Sequence, residues 1–155
     1  MENGKVGNRI MPSFNNTFMT FANGSCDPNK WKEYFLDYEP EVWDSEGDGV
    51  LQFRSDDNKE YSLVISHWSN LGFLLQLTCD NLETKNPEYC LFSLSDISKI
   101  NDFAELDDLK YPVGCFLSSE NTWLAVEDFL NNPEQPSSRI QWIEDSEIEW
   151  PESVY

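Results

Sequence analysis

Histidine is the side chain whose ordinary pKa lies closest to neutrality, and this chain of 155 residues contains one histidine, His67. Any Ser–His or Cys–His nucleophilic mechanism would have to use it. Ser66, Cys79 and Cys90 are the nearest candidates along the sequence, but no G-x-S-x-G or comparable motif surrounds them. His67 is followed by Trp68 at the end of a predicted strand. This context favours a structural or surface histidine over a catalytic one.

Carboxylates and thiols offer two possible metal sites, and neither pattern is complete. Residues 44–49 resemble the start of a calcium-binding EF-hand loop, with oxygen ligands at the first, third and fifth positions and glycine at the sixth. The twelfth position is Ser55 where a bidentate Glu is needed, so we expect an acidic turn that enters a sheet. The four cysteines form no C-x-x-C pair, which favours reduced thiols over a zinc site. They are Cys26, Cys79, Cys90 and Cys115. The sequence therefore predicts no metal and no cofactor.

The strongest chemical signal is negative charge. The chain has 29 Asp and Glu against 10 Lys and Arg, which gives a formal net charge of -19. Nucleic acids and anionic membranes need clustered cations, so we expect neither as a direct partner and expect a basic protein instead. Paired carboxylates could act as acid and base, as in glycoside hydrolases, but a chain this acidic produces such pairs by chance. We therefore predict a binding protein and not an enzyme.

Two predicted helices and a predicted sheet must position these charges. Asp27 and Pro28 form an N-cap and first-turn proline, and aromatic residues then recur at helical spacing until Pro40 ends the helix. A second helix is predicted to begin after Ser118 or Ser119, with its apolar residues on one face. Between the helices, segments of strand-forming residues alternate with turn formers, which predicts a four-stranded antiparallel meander. Its strands are predicted at residues 50–54, 61–66, 73–78 and 89–94.

Two further segments complete the predicted fold. Residues 139–143 are expected to add a fifth strand, and residues 95–111 have an apolar rhythm that predicts one irregular helix. The predicted fold class is α+β, a single domain with an antiparallel sheet of about five strands and two or three helices packed mainly on one face. We expect the domain at residues 27–145, an N-terminal arm or edge strand at residues 1–26, and an acidic C-terminal tail at residues 146–155. No segment has the ~18 apolar residues of a membrane span, and the N-terminus lacks the apolar region of a signal peptide, so we expect an intracellular protein.

Acidic residues are concentrated in two segments that contain no Lys or Arg, residues 33–48 and 140–155. The second segment also holds Trp142, Ile148 and Trp150, and aromatic anchors beside charges are typical of a protein interface. Charge and expected exposure therefore predict a set of partner-binding residues. They are Asp44, Glu46, Asp48, His67, Trp68, Glu144, Asp145, Glu147, Glu149 and Trp150.

Residues 116–144 resemble the C-terminal signature of Imm1-type bacterial immunity proteins, in which a short strand, a helix, a proline-containing turn and a strand ending in Trp and an acid follow one another. The matching positions are Ala125, Phe129, Leu130, Pro136, Ile140, Trp142 and Glu144. Residues 61–65 followed by Gly72 and Phe73 are similar to the family's central hairpin. The chain departs from the pattern in residues 1–26, in the segment after Asp145 and at the bulky Trp123.

The resemblance implies a cytoplasmic protein that binds and neutralises a cognate toxin of a polymorphic toxin system. Such toxins include nucleases and nucleic-acid deaminases. We expect a monomer that occludes the toxin's active site in a 1:1 complex. The family's signature residues Phe129 and Trp142 are expected in the core. Two alternatives from the residues themselves remain open: an acidic DNA-mimic inhibitor of a nucleic-acid enzyme, and a small acidic hydrolase.

Overall fold

A computed structural model describes residues 14–16, 28–46 and 49–151 and places three helices and nine strands in them. The helices are α1 (Pro28–Leu36), α2 (Pro40–Glu46) and α3 (Ser119–Asn131). The strands are β1 (Phe14–Asn16), β2 (Gly49–Arg54), β3 (Lys59–Trp68), β4 (Gly72–Asn81), β5 (Asn86–Leu94), β6 (Phe103–Leu106), β7 (Leu109–Pro112), β8 (Phe116–Leu117) and β9 (Gln141–Glu144). The α+β class is thus confirmed, and the strands predicted at 50–94 and 139–143 are present with longer or shifted ends.

Seven of the strands form one antiparallel sheet in the order β1-β2-β3-β4-β5-β9, with β8 paired to the start of β4. Side chains on successive strand residues point to opposite faces, and β3 and β4 keep that alternation in register, with Leu63 opposite Leu77 and Ile65 opposite Leu75. Because neighbouring strands run antiparallel, the turns of the meander alternate between the two ends of the sheet. The β3–β4 turn lies at one end, and the β2–β3 and β4–β5 turns lie at the other.

All three helices pack on one face of this sheet. Their contacts form the larger core, in which Trp31 and Phe35 of α1 and Phe73 of β4 are fully buried. Ser118 begins α3 by accepting a hydrogen bond from the Asn121 backbone N–H at 3.2 Å, as the sequence predicted. The resemblance-based expectation that Phe129 is in the core holds, because this residue is 3% exposed.

The helix that was predicted to continue until Pro40 ends earlier, at Leu36. Pro40 is instead the first residue of α2, a position where its fixed φ suits the helix and its missing N–H would have no partner within the helix. The expected acidic turn at 44–49 was wrong in its first half, since Asp44 lies inside α2, which continues to Glu46. Asp48 lies outside the described residues.

The opposite face of the sheet is covered by a hairpin, and the helix expected at 95–111 was wrong. Ile97–Lys99 form a single 3-10 turn, and β6 and β7 pair as an antiparallel hairpin. The two turn residues, Asp107 and Asp108, have φ of 51° and 70°. Asp tolerates this left-handed conformation, which a two-residue hairpin turn requires at both positions. The hairpin and the segment after β9 pack against β4 and β5 to form a second, smaller core.

The segment after β9 is described as far as Pro151. Asp145–Glu147 form a 3-10 turn, after which Ile148 is buried and Trp150 is half-buried against the second core. Among the described residues, no helix combines the length and the apolar character needed to cross a membrane.

Candidate functional site

A cleft of about 510 Å³ opens at the end of the sheet that carries the β3–β4 turn. It lies between the two layers that cover the sheet: α2 contributes Trp43 and Asp44, β3 and its turn contribute residues 67–71, and β6 contributes residues 104–106. Gly72 follows the turn with a φ of +107°, and a Cβ there would lie 2.4 Å from the Leu117 carbonyl oxygen. Glycine is therefore required where β4 leaves the cleft.

His67 lies at the base of this cleft, and its side chain is 0% exposed. Its Nδ1 lies 3.1 Å from Asp44 Oδ1, and its Nε2 is hydrogen-bonded to the Tyr38 hydroxyl. Burial, and then the nearby charges of Asp44 and Glu41, raise the pKa of Tyr38. For a neutral imidazole, the assignment that satisfies both bonds has the phenol donating to Nε2 and the ring N–H at Nδ1 donating to Asp44.

Asp44 is held from two directions. Besides the bond from His67, its Oδ2 accepts a hydrogen bond from Ser69 Oγ at 2.6 Å. These bonds join α2 to the end of β3 and to the β3–β4 turn. The Asp44 side chain is still 47% exposed, so a fixed carboxylate lines the cleft.

Aromatic rings enclose the histidine and fix its plane. The Phe73 ring centroid lies 4.9 Å from that of His67, and Trp43 meets Phe73 edge-on at 4.8 Å. Ser66 lies on the other face of β3, and Cys79 lies beside Tyr61, so neither reaches His67. The hydroxyl that does reach it, that of Tyr38, was not among the sequence candidates.

The β6–β7 hairpin forms the outer wall of the cleft and was missed by the sequence analysis, which predicted a helix there. Leu106 and Leu109 pair across its tip and are 46% and 51% exposed. Asp107 and Asp108 lie between them, and Glu105 precedes them on β6. The tip thus presents an apolar pair beside three carboxylates and the exposed Lys110, which lies opposite Glu105.

The second predicted binding segment joins this region through aromatic contacts. The Trp150 ring lies 6.0 Å from Tyr111, and Tyr111 lies 5.9 Å from Trp68. Trp150 Nε1 donates to Asp145 Oδ1 at 3.0 Å, which fixes the turn that carries the acids. The structure therefore links Trp68 to Trp150 through Tyr111, whereas the sequence could only treat their two segments separately.

The predicted contact residues differ in how much surface they offer. His67 and Trp68 are only 6% and 7% exposed. Trp150 is half-buried, and the Glu147 carboxylate accepts from the Glu144 backbone N–H at 3.3 Å. The exposed members of the set are Asp44, Glu144, Asp145, Glu147 and Glu149. Glu46 ends α2, and its side chain lies outside the described residues, as does all of Asp48.

Arg139 and Lys59 form ion pairs away from the cleft. Arg139 Nη2 binds Asp128 Oδ1 at 2.6 Å and Glu127 Oε1 at 2.9 Å, which ties α3 to the segment before β9. Lys59 pairs with Glu88 at 3.2 Å near the opposite end of the sheet. No lysine or arginine is among the described residues that line the cleft, so its potential is negative.

The described residues contain no group of three or more His, Cys, Asp or Glu side chains arranged to hold a metal ion. No family model matches the chain, and neither do any curated proteins or solved structures. The relation to Imm1-type immunity proteins therefore rests on the sequence pattern alone and stays a prediction.

Proposed function

We propose that this chain is a binding protein that captures a basic protein through the cleft and the β6–β7 hairpin, as an immunity protein captures its toxin. The observation that carries the proposal is the combination found at this end of the sheet. The fixed carboxylate of Asp44, the exposed pair Leu106 and Leu109, and a concave lining without lysine or arginine occur together there.

Each part of this surface has a distinct physical role in binding. The net charge of -19 speeds encounter with a cationic protein, and the carboxylates of Asp107 and Asp108 orient it. Leucines that lose their exposed area on binding then slow dissociation, because apolar burial stabilises the complex by roughly 25 cal/mol per Å². Charge therefore supplies the association rate, and the apolar pair supplies residence time.

The surface is also held rigid before the partner arrives. Asp44 is fixed by His67 and Ser69, and the hairpin is anchored on the sheet through Tyr111 and Trp150. A preorganised surface loses less conformational entropy on binding, which favours high affinity. This gives the buried histidine a structural role in binding without contact with the partner.

The resemblance to Imm1-type proteins supplies the kind of partner. We propose a toxin that acts on nucleic acid, such as a nuclease or deaminase, because an enzyme that handles a polyanion needs a basic cleft. An acidic protein bound over that cleft would exclude the substrate. A cytoplasmic monomer that forms a 1:1 complex burying about 1,600 Å² in total would suffice.

A hydrolase is the alternative that one observation favours, since Asp44, His67 and Tyr38 form a hydrogen-bonded chain like a catalytic triad. The raised pKa of Tyr38 argues against its use as a nucleophile. Tyr38→Phe removes only the hydroxyl, and we expect this variant to protect cells as well as the wild type. Loss of protection by a stably folded Tyr38→Phe protein that still binds the toxin would favour the hydrolase.

The proposal is tested by co-expression with the product of the gene directly upstream. We expect that product to arrest growth when expressed alone and to be harmless when this chain is present. The purified proteins should form a complex whose association slows markedly as salt rises. A harmless upstream product, or one that stays lethal in the presence of this chain, would overturn the immunity function.

A further inference from the structure

The cleft has walls of two chemical kinds, and together they suit one type of side chain. We infer that it binds an arginine side chain inserted by the captured protein. The inference rests on the proposed function, which it deepens by naming the group on the partner that enters the cleft.

The charged part of the cleft comes from two elements on opposite sides. Asp44 lies on α2 and Glu105 lies on β6, so a cation between them would meet a carboxylate on either side. Each Asp44 oxygen accepts one hydrogen bond, from His67 or from Ser69. A carboxylate oxygen has two lone pairs, so both Asp44 oxygens can accept a further bond from a guanidinium.

Apolar and ring atoms form a second part of the lining, beside the polar residues Ser69 and Asn70. Leu71 and Leu106 are partly exposed there, and Trp68 lies beneath them. The aliphatic part of an arginine side chain can pack along such surfaces while its charged end reaches the carboxylates. The volume of about 510 Å³ falls within the range of about 300–1,000 Å³ that is common for specific binding clefts.

Arginine fits better than lysine for two reasons. Its planar guanidinium donates up to five hydrogen bonds and pairs with carboxylates in a bidentate manner, whereas an ammonium is a more strongly hydrated point charge. Asp44 is held in one orientation from two sides, and a fixed carboxylate favours this directional pairing.

Lys110 gives an internal check on the electrostatics. It lies directly opposite Glu105 across the β6–β7 hairpin and is exposed. Its positive charge weakens the attraction of Glu105 for an incoming cation. Removing the Lys110 charge should therefore tighten binding of the arginine, and removing the Glu105 charge should weaken it.

The test uses the full chain and a blocked tripeptide, acetyl-Gly-Arg-Gly-amide, with the neutral citrulline peptide and the lysine peptide as matched controls. Binding is followed by nuclear magnetic resonance through the indole N–H signals of Trp43 and Trp68. We expect the arginine peptide to shift the Trp68 signal saturably and to bind at least about tenfold more tightly than the citrulline peptide, as the loss of charged hydrogen bonds predicts. The lysine peptide should bind more weakly than the arginine peptide.

Variants then locate the site. Glu105→Gln should weaken binding of the arginine peptide by about three- to tenfold. The thermal midpoint of unfolding should stay unchanged, because Glu105 is exposed. Lys110→Gln should strengthen binding of the peptide by about twofold. Asp44→Asn should weaken binding of the arginine peptide more than Glu105→Gln does. The thermal midpoint of unfolding is measured for this variant to verify that α2 stays in place.

Equal binding of the arginine and citrulline peptides, or shifts at other tryptophans that Glu105→Gln leaves unchanged, would overturn the inference. So would the absence of saturable binding. If the wild type still captures the upstream gene product in that case, only the arginine site is wrong. If the upstream product is not captured at all, the proposed function fails whatever the peptides do.

Discussion

The two faces of the sheet are covered in different ways. On the helix-covered face, Trp31, Phe35 and Phe73 are each 0% exposed, and the rings pack against one another without reaching solvent. On the hairpin-covered face, Tyr111 and Trp150 are half-buried and are surrounded by exposed acids of the β6–β7 hairpin and the segment after β9. The first face is a closed core, and the second supports the surface that we propose binds the partner.

This difference shows where residues can serve binding with little loss of folding stability. Side chains fully enclosed on the helix-covered face are fixed by packing, so most changes there should destabilise the protein. The cleft and the hairpin tip are supported by that packing but contribute little to it. We therefore expect stability and partner binding to respond separately to changes on the two faces.

The largest loss of stability should come from Phe35→Ala. Phe35 packs against Trp43 at 4.9 Å and Trp123 at 5.6 Å between ring centroids, so truncation leaves a cavity in the larger core. We expect the free energy of unfolding to fall by about 3–5 kcal/mol, measured by urea denaturation. A loss below about 1 kcal/mol would show that this face does not carry the stability.

Trp150→Ala should have a smaller effect on the hairpin-covered face. The ring packs on Phe92 at 5.3 Å but is partly exposed, so we expect a loss of about 1–3 kcal/mol. The same variant should weaken partner capture beyond its effect on folding, because Trp150 supports Tyr111 and the hairpin. Full affinity for the partner in a destabilised Trp150→Ala protein would show that binding does not depend on the support that Trp150 gives to the hairpin.

Asp128→Asn tests the polar contact between α3 and the segment before β9. We expect it to lower the free energy of unfolding by about 1–2 kcal/mol. Burial alone would raise the pKa of Asp128, but hydrogen bonds from Arg139 and Ser137 and the Arg139 charge lower it overall. A lowered folded-state pKa means that the contribution is present above the ordinary carboxyl pKa of 3.8 and is lost as pH falls further.

The pH dependence provides the control for this variant. The difference in unfolding free energy between wild type and Asp128→Asn should be constant above about pH 5 and shrink below about pH 4. Chemical denaturation at a series of pH values measures it. A difference that stays the same at low pH would contradict a stabilising role for the ionised carboxylate.

The smallest effect on stability should come from the double variant Leu106→Ser, Leu109→Ser. Both leucines are about half exposed at the hairpin tip, so the free energy of unfolding should change by less than about 0.5 kcal/mol. The dissociation rate from the partner should rise instead, since apolar area no longer becomes buried. The dissociation rate is measured by surface plasmon resonance. An unchanged rate would show that these two leucines are not part of the interface.

The sequence predicted the meander because the alternation of apolar and polar residues, which follows the pleat, persists through β3 and β4. It failed for 95–111, where the apolar residues recur near every third position but do not share one face. Ile97 and Leu109 are exposed in the structure, whereas Phe103 packs into the second core. The pair Asp107 and Asp108 was the available turn signal, but Asp-Gly and Asn-Gly are the stronger forms of it.

The lining of the candidate cleft includes three residues that the sequence analysis selected, Asp44, His67 and Trp68. Asp44 and His67 were selected for charge and exposure, but their hydrogen bond joins residues 23 positions apart, and Tyr38 is 29 positions from His67. Local patterns contain no information about such contacts. The cleft itself exists only because α2 and β6 meet at the same end of the sheet from opposite faces. Sequence therefore indicated the chemistry of the surface and not its shape.

The central claim is that the cleft end of the molecule, and not its overall charge, captures the partner. Two double variants that remove the same charge separate these possibilities: Asp107→Asn with Asp108→Asn at the hairpin tip, and Asp56→Asn with Glu83→Gln at the turns of the opposite end. Asn is compatible with the left-handed turn, so the tip variant should keep its fold.

The dissociation constant for the upstream gene product, measured by calorimetry at fixed salt, tests the claim most directly. We predict that the hairpin-tip variant binds at least about tenfold more weakly than the wild type, and that the opposite-end variant stays within about twofold of it. Equal weakening by the two variants would contradict the account, because it would mean that net charge alone holds the partner.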